Sequence, residues 1–427
     1  MIALGCVADD FTGATDVAAA LRRNGMSVTL LFGLPDEASP PPETDSVVVA
    51  LKTRTVPAGD AVSQARAVLA WLLRAGVGTV YFKYCSTFDS TDEGNIGPVT
   101  DALLHAMGES LAVVCPASPE HGRTTYQGHH FVDDRLLSDS PMRHHPLTPM
   151  TDPDLRRVLS RQTDGAVGHL PLTVVRHGSE AVAAALKGAR ADGFRHVVAD
   201  ALSEEDLLAI AAGSGGTRLL TGGAGLAGAL GASKRTRAPA RSQNLSLPSG
   251  PGIALAGSCS TATLAQVAAA SEVLPSYRLA PETTPDPDEL IEDARTWLRQ
   301  NRSEPHLLVY SSAGPDERSR ARTALGPRTP QILEQTLAEL AREAVALGAA
   351  RVVVAGGETS GAVVRALGVG SVAVAHEEDR GVPWCLANVA GRSVALLLKS
   401  GNFGGEDLLV RALRGAAGPS TPVKERR

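Results

Sequence analysis

The sequence predicts a two-domain α/β protein in which each domain has a mostly parallel sheet flanked by helices, with an active-site cleft expected between the lobes. Three observations predict it. Short β-branched runs alternate with alanine-rich stretches of helical length, the rhythm of βα units. The chain has 427 residues, 43% of them hydrophobic and 20% charged, which is material for two cores. From Ala232 to Gly252 the text turns to Ser, Pro, Gly and basic residues without hydrophobic periodicity, which reads as a linker. The expected division is an N-terminal domain over 1–235, a linker over 236–251, a C-terminal domain over 252–415 and a frayed tail over 416–427.

In order along the first domain, Ile2–Ala8, Ser27–Phe32, Val47–Leu51, Thr79–Lys83, Leu111–Cys115, Leu172–Val175 and Arg195–Ala199 are apolar or β-branched runs of strand length. Helices are expected at Asp16–Asn24, Ala58–Arg74 and Ser179–Arg190. Gly25, Gly76 and Gly193 stand where a left-handed cap would end each one. The second series has strands at Ile253–Ala256, Tyr277–Leu279, Leu307–Ser311, Arg351–Ala355, Ser371–Ala375 and Val394–Leu398, with helices at Ala262–Ala270, Glu289–Arg299 and Ile332–Leu347. A Gly222-Gly223-Ala224-Gly225 cluster reads as an αβ turn near the domain boundary.

Composition excludes several classes. Lys and Arg number 41 against 46 Asp and Glu, net −5, so no whole-molecule field draws in nucleic acid or an anionic membrane. Any anionic ligand must be held locally. No apolar run approaches the ~20 residues that span a bilayer. The opening MIALGCVADD has neither the basic start nor the long apolar stretch of a secretory signal, so a cytoplasmic location is expected. The 5 cysteines are scattered without a CxxC pair and read as small buried hydrophobes.

Ligands of parallel sheets bind beyond the carboxyl ends of strands, so residues just after each β run matter most. The first strand opens into Ala8-Asp9-Asp10-Phe11-Thr12-Gly13-Ala14-Thr15-Asp16. Thr15 or Asp16 can cap the following helix, whereas adjacent Asp9 and Asp10 repel each other and need a reason to be there. Lys52 and Arg54 follow the third strand. Lys83 and Asp89 flank the turn after the fourth. Cations and carboxylates at one sheet edge suit a substrate carboxylate, a transferring phosphoryl group and the hydroxyls of a polyol. The stretch Pro116–Met150 reads as irregular, as a lid or a substrate wall. Its His129, His130, His144 and His145 lack a firm metal-ligand spacing and read as satisfied histidines.

In the second domain three glycine-rich turns follow strands: Gly257-Ser258-Cys259-Ser260-Thr261, Gly356-Gly357-Glu358-Thr359-Ser360-Gly361, and Ser400-Gly401-Asn402-Phe403-Gly404-Gly405. Free backbone N–H groups at strand-to-helix turns favour phosphate oxygens. None of the three is a Walker A sequence. Together they predict a nucleotide-holding domain.

The segments ADDFTGATD, KYCSTFDST, MRHHPLTPMTD, GSCS, AGGETSG and SGNFG resemble the four-carbon acid sugar kinase family, its 3-oxo-tetronate kinases most of all, from about Ala3 to Leu413. The resemblance implies an N-terminal domain that binds the acid sugar and a C-terminal domain that binds ATP, with phosphorylation of the C4 hydroxyl. Asp9, Asp10, Thr12 and Gly13 match the family's N-terminal motif. Arg54, Lys83 and Asp89 match its substrate-facing loops, and Ser258, Gly357 to Gly361 and Gly401 to Gly404 match its nucleotide-contacting turns. On this reading Lys83 and Arg54 bind the substrate carboxylate, and Asp10 orients or deprotonates the acceptor hydroxyl, with Asp9 or Asp89 as alternatives. Asp10, Asp9 and Lys83 are thus the candidate catalytic residues. ATP with Mg²⁺ bridging its phosphates sits on the C-terminal turns. The Mg²⁺ ligands stay open, and a homodimer is one option for the assembly.

Three alternatives differ in class or substrate. A D-erythronate or D-threonate 4-kinase would share these motifs. A sugar-acid sensor would close on its ligand without chemistry, but acidic residues in one domain and phosphate-type turns in the other favour an enzyme. A nicotinamide-dependent dehydrogenase lacks its GxGxxG after the first strand.

Overall fold

A computed structural model describes residues 2–36, 40–145, 147–234 and 245–415. The expected tail over 416–427, and 236–244 of the expected linker, lie outside the described residues. The chain divides into two compact units, Met1–Asn244 and Leu245–Arg427. Leu245 and Leu247, at the end of the expected linker, pack on the C-terminal core.

The N-terminal unit begins β1 (Leu4–Ala8), α1 (Phe11–Arg23), β2 (Val28–Phe32), β3 (Ser46–Ala50), α2 (Ala58–Arg74), β4 (Val80–Lys83), α3 (Ile96–Met107) and β5 (Ala112–Cys115). A small antiparallel sheet follows, β6 (Arg123–Tyr126), β7 (His129–Val132) and β8 (Arg135–Leu136). The unit closes with α4 (Leu155–Ser160), β9 (Val167–Leu170), α5 (Leu172–Val175), α6 (Ser179–Ala191), β10 (His196–Ala199), α7 (Glu204–Gly213), β11 (Leu219–Gly222) and α8 (Ala224–Lys234).

Its main sheet has the order β2-β3-β1-β4-β11-β5-β10-β9, every pair parallel. The register sets Ala8 beside Ala50 and Lys83, Lys83 beside Gly222, and Gly222 beside Cys115. The loops that carry Asp9, Lys52, Tyr84, Gly223 and Pro116 therefore leave one edge of the sheet. β1, β3, β4 and β5 are buried along their length, as parallel strands covered on both faces must be. α2 shows how the cover works: Ala61, Ala65, Val68, Leu69 and Leu72 recur at helical spacing and are buried against the sheet. Leu72 reaches the position a side chain on Gly5 of β1 would occupy, 2.9 Å from it. Truncating Leu72 to alanine would cost roughly 2–5 kcal/mol.

The C-terminal unit runs β12 (Gly252–Ala256), α9 (Thr261–Ser271), β13 (Ser276–Arg278), α10 (Pro287–Gln300), β14 (His306–Tyr310), α11 (Pro315–Leu325), α12 (Thr329–Ala346), β15 (Arg351–Ala355) and α13 (Gly357–Ala366). It ends with β16 (Ser371–Asp379), β17 (Val382–Val389), β18 (Arg392–Lys399) and α14 (Leu408–Arg414). The sheet order is β13-β14-β12-β15-β18-β17-β16, parallel as far as β18 and antiparallel beyond it. Ala256, Ala355 and Lys399 stand level, so the three glycine turns leave one edge here too.

Four expectations are corrected. Helix α1 starts at Phe11, because Asp10 takes the cap position and its carboxylate accepts the Gly13 N–H at 2.9 Å; Asp16 lies inside the helix and is buried. Leu172–Val175 is a helical turn, not a strand. Pro171 precedes it, and the Leu172 N–H is taken by the Asp200 carboxylate at 3.1 Å, so no ladder can form there. The stretch Pro116–Met150 is built rather than irregular, holding β6 to β8 and single turns of 3₁₀ helix. Gly222 ends a strand the sequence reading missed, so its cluster is a βα turn. A Cβ on Gly222 would stand 1.9 Å from the Cys115 carbonyl oxygen, and φ is +155°. Gly25, Gly76 and Gly193 do take the expected left-handed conformation.

Candidate functional site

In the N-terminal unit the predicted residues meet at the sheet edge around one guanidinium. Arg54 donates from Nε to Asp9 Oδ2 at 2.9 Å, and from Nη2 to Asp9 Oδ1 at 2.8 Å and Asp10 Oδ1 at 2.7 Å. Its Nη1 lies 4.0 Å from Asp89 Oδ2. The Asp9–Asp10 pair thus has its reason: two neighbouring carboxylates share a fork-shaped cation. Burial pushes the Asp9 carboxyl up, with Arg54 opposing. For Asp10 burial also pushes upward, but Arg54, Lys83, the Thr12 hydroxyl and the Gly13 N–H outweigh it and hold the group below its usual value. Thr12 Oγ1 donates to Asp10 Oδ2 at 2.7 Å. Asp10 is therefore ionised, but its oxygens are engaged by Arg54, Thr12 and the helix N-terminus.

Lys83 ends β4 and is only 2% exposed, donating to the Tyr84 carbonyl at 2.7 Å. It sits under Gly13, where a Cβ would come 3.0 Å from Lys83 Nζ. Its charge acts on Asp9, Asp10 and Asp16, drawing all three toward ionisation. This geometry sets the Lys83 charge among the carboxylates of Asp9, Asp10 and Asp16. After β4 the chain turns through Phe88, a non-glycine residue at φ 61°, which is fully buried against Tyr84. Such local strain is kept only where packing enforces it. The turn delivers Asp89, which accepts the Thr87 hydroxyl.

Arg54 and Asp89 line a cavity of about 670 Å³ with Asn95, Thr148, Arg161 and Gln162. Asn95, missed in the sequence, holds the Arg54 loop by donating to the Thr53 and Val56 carbonyls at 2.7 and 2.9 Å. The histidines of the β6–β8 region are occupied. His130 is fully buried and donates from Nε2 to Ser86 O at 2.7 Å while Nδ1 pairs with Thr125; burial lowers it to about 4. His145 Nδ1 accepts the Thr148 N–H and hydroxyl. Burial raises the thiols of Cys6, Cys85, Cys115 and Cys385 to about 12, so they stay protonated.

In the C-terminal unit the three turns converge. A Cβ on Gly257 would lie 2.2 Å from Thr359 Oγ1, one on Gly356 would lie 3.1 Å from the Ser258 nitrogen, and one on Gly401 would lie 2.3 Å from Ser258 Oγ. Gly356 takes φ +126°. Helix α13 starts at Gly357 without a side-chain cap, so its first N–H groups and its dipole face outward. Beside the turns lies a cavity of about 590 Å³ bounded by Gly257, Cys259 and Thr359. Its lining mixes apolar side chains, Leu279, Ala313, Ala321, Pro327 and Leu333 among them, with charged ones, Arg278, Glu282, Glu317, Arg318, Arg322 and Glu334. That volume and lining suit a nucleoside-sized ligand. The α11–α12 wall was not legible, because nothing in its sequence marks it as facing a cavity.

A model described as a sugar-binding N-terminal domain matches residues 4–230, and one described as a nucleotide-binding C-terminal domain matches residues 253–409. A curated 3-oxo-tetronate kinase of Burkholderia multivorans is 47% identical, over 97% of this chain and 97% of its own. The chain belongs to the four-carbon acid sugar kinase family. Another family member, the 3-oxo-tetronate kinase of Cupriavidus necator, is 46% identical over 97% of each chain. A solved structure from Salmonella typhimurium superposes with TM-score 0.87 at 39% identity, covering 97% of this chain and 99% of that one. It is described, as a conjecture, as a tRNA synthase. The agreeing names of the sequence relatives outweigh that description. Among the described residues no helix is long and apolar enough to cross a membrane.

Proposed function

We propose that this kinase transfers the γ-phosphoryl group of ATP to the C4 hydroxyl of 3-oxo-tetronate, the acid sugar held by the N-terminal unit and the nucleotide by the C-terminal unit. The observation that carries the reading is the uncapped start of α13, which opens with the Gly257 turn onto the 590 Å³ cavity. The base and ribose fill that cavity, the base against its apolar side chains, and the phosphates reach the N–H groups at Gly357 to Thr359 and the Ser258 hydroxyl.

On the sugar side, Arg54 Nη1 is the guanidinium nitrogen not engaged by Asp9 or Asp10, and it takes the substrate carboxylate. Asp89, beside it in the same cavity, accepts the acceptor hydroxyl. Asp89 takes this role in place of Asp10, whose oxygens are already committed and whose low pKa makes it a poor base. Asp9 and Asp10 hold Arg54 in place, and Lys83 offsets the charge of the two carboxylates. Phosphoryl transfer asks chiefly for positioning and charge neutralisation, which such a preorganised knot supplies.

Mg²⁺ bound with ATP neutralises developing charge on the phosphate oxygens. Among the described residues no group of three or more His, Cys, Asp or Glu could hold a metal ion by itself. A nucleotide-bound Mg²⁺ would take most of its ligands from phosphate oxygens and water, with at most one or two carboxylates from the protein.

The test is ADP release over a panel of 3-oxo-tetronate, D-erythronate and D-threonate. Turnover is expected to be highest with 3-oxo-tetronate. Preference for either aldonate would move the substrate assignment, and ADP release with none, despite sugar-acid binding, would overturn the kinase reading.

A further inference from the structure

Helix α9 presents Ser260, Thr263 and Gln266 on one side, spaced by three residues, to the loop that follows β18. Thr263, Gln266 and Lys399 are each fully buried. Buried polar groups must find partners, and these find backbone carbonyls of the loop. The Gly401 carbonyl oxygen accepts from Ser260 Oγ at 2.6 Å, Thr263 Oγ1 at 2.8 Å and Lys399 Nζ at 3.0 Å. Lys399 Nζ also donates to Thr263 Oγ1 at 3.0 Å. Gln266 Nε2 faces the carbonyls of Phe403, Gly404 and Gly405 at 3.1, 2.9 and 3.0 Å.

The consequence follows from peptide geometry. In a trans peptide the C=O and the following N–H point in opposite directions, and no described bond is cis. Drawing the Gly401 and Phe403 carbonyls inward turns the N–H groups of Asn402 and Gly404 outward, away from α9. The Gly405 N–H is already taken by Asp379 Oδ2 at 2.9 Å. Gly401 itself packs on Ser258 Oγ, so the outward N–H groups belong to the same cluster of turns as Ser258.

We infer that Lys399, Thr263 and Gln266 act as a buried clamp that fixes the 401–405 loop with its N–H groups presented to a phosphate of the nucleotide. They are positioning residues and touch no ligand themselves. Burial lowers the Lys399 ammonium to about 8, so a cation is being kept in an unfavourable place, and its carbonyl and hydroxyl partners offset that cost. The inference rests on the C-terminal unit being the nucleotide site.

The experiment is titration calorimetry of the full chain with MgADP, with steady-state KM values for ATP and for the acid sugar. Thr263→Val and Lys399→Met are expected to weaken MgADP by about tenfold or more, since each leaves the loop carbonyl short of a donor. KM for ATP rises in step and KM for the acid sugar stays. Thr263→Ser, which keeps the hydroxyl, recovers affinity to within about threefold of wild type. If the buried substitutions prevent folding, Ser260→Ala, which removes one donor near the surface, is expected to weaken MgADP by about threefold. Wild-type affinity in folded Thr263→Val, or equal losses in Thr263→Ser and Thr263→Val, overturns the clamp alone. No MgADP binding by the wild-type chain overturns the nucleotide assignment and the clamp with it.

Discussion

Replacing Arg54 by methionine isolates the contribution of the guanidinium while keeping most of its apolar stem. The substitution removes the donors to Asp9 and Asp10 and leaves two neighbouring carboxylates facing each other, Asp9 only 5% exposed. Breaking a buried ion pair from one side costs ~3–5 kcal/mol. The Arg54 side chain is 23% exposed, so solvent screens part of the loss and the low end, ~3 kcal/mol, is expected. For a unit of this size ~1 kcal/mol moves Tm by about 2–4 °C, so differential scanning calorimetry should show a fall of about 6–12 °C. Adding Asp9→Asn to Arg54→Met removes a stranded charge and should recover part of that fall, giving a coupling of opposite sign to the single losses. In the coupled assay kcat/KM for the acid sugar should drop ~10²–10³-fold, because the substrate carboxylate loses its cationic partner at Arg54 Nη1. KM for ATP should not move. A variant with wild-type Tm, or one whose stability the second substitution leaves lower still, would refute the reasoning.

Gly13→Ala places a Cβ 2.2 Å from Asp10 Oδ1, so the cap bond must break; thermal unfolding should show a loss of roughly 1 kcal/mol or more, and acid-sugar turnover should fall as Asp10 shifts against Arg54. Ala321→Trp fills the 590 Å³ cavity from α11 and should raise KM for ATP by about tenfold or more, with acid-sugar binding by calorimetry unchanged. Lys399 supplies a pH signature. Its folded pKa of about 8 lies below the unfolded value of 10.5, so below about pH 8 the native state carries the full cost of a buried cation, and the cost is relieved as pH rises toward 10.5. The stability difference between wild type and Lys399→Met should therefore move in favour of wild type between pH 8 and 10, by up to about 3 kcal/mol, as read from urea titrations at each pH.

Much of the fold was legible because parallel strands buried on both faces are written as apolar runs, and glycines at helix ends mark where the chain turns. Val47–Leu51 and Arg351–Ala355 are such runs, and Gly25 and Gly76 do what their positions imply. Leu172–Val175 was not legible, because four apolar residues fit either period and the deciding contact, Asp200 on the Leu172 N–H, comes from a distant strand. The strand Val382–Val389 was missed although Gly381 and Gly391, both at positive φ, mark the hairpin turns at its two ends.

The same division runs through the sites. Asp9, Asp10, Arg54 and Asp89 were found because charges after strand ends are conspicuous, and the structure brings them together. Lys83 was found for the same reason, yet it points into the protein, which no spacing reveals. Asn95, Thr263, Gln266 and Lys399 went unnoticed. Each serves backbone carbonyls rather than a ligand, and a polar side chain with that task carries no local pattern.

The central claim is that the C-terminal glycine turns and the cavity beside them hold the triphosphate donor. A crystal structure of the chain grown with MgADP tests it most directly. The base is expected against Leu279 and Leu333, with phosphate oxygens on the α13 N-terminus and the Ser258 and Asn402 turns. Nucleotide density beside Arg54 and Asp89, with the C-terminal turns bare, would contradict the account.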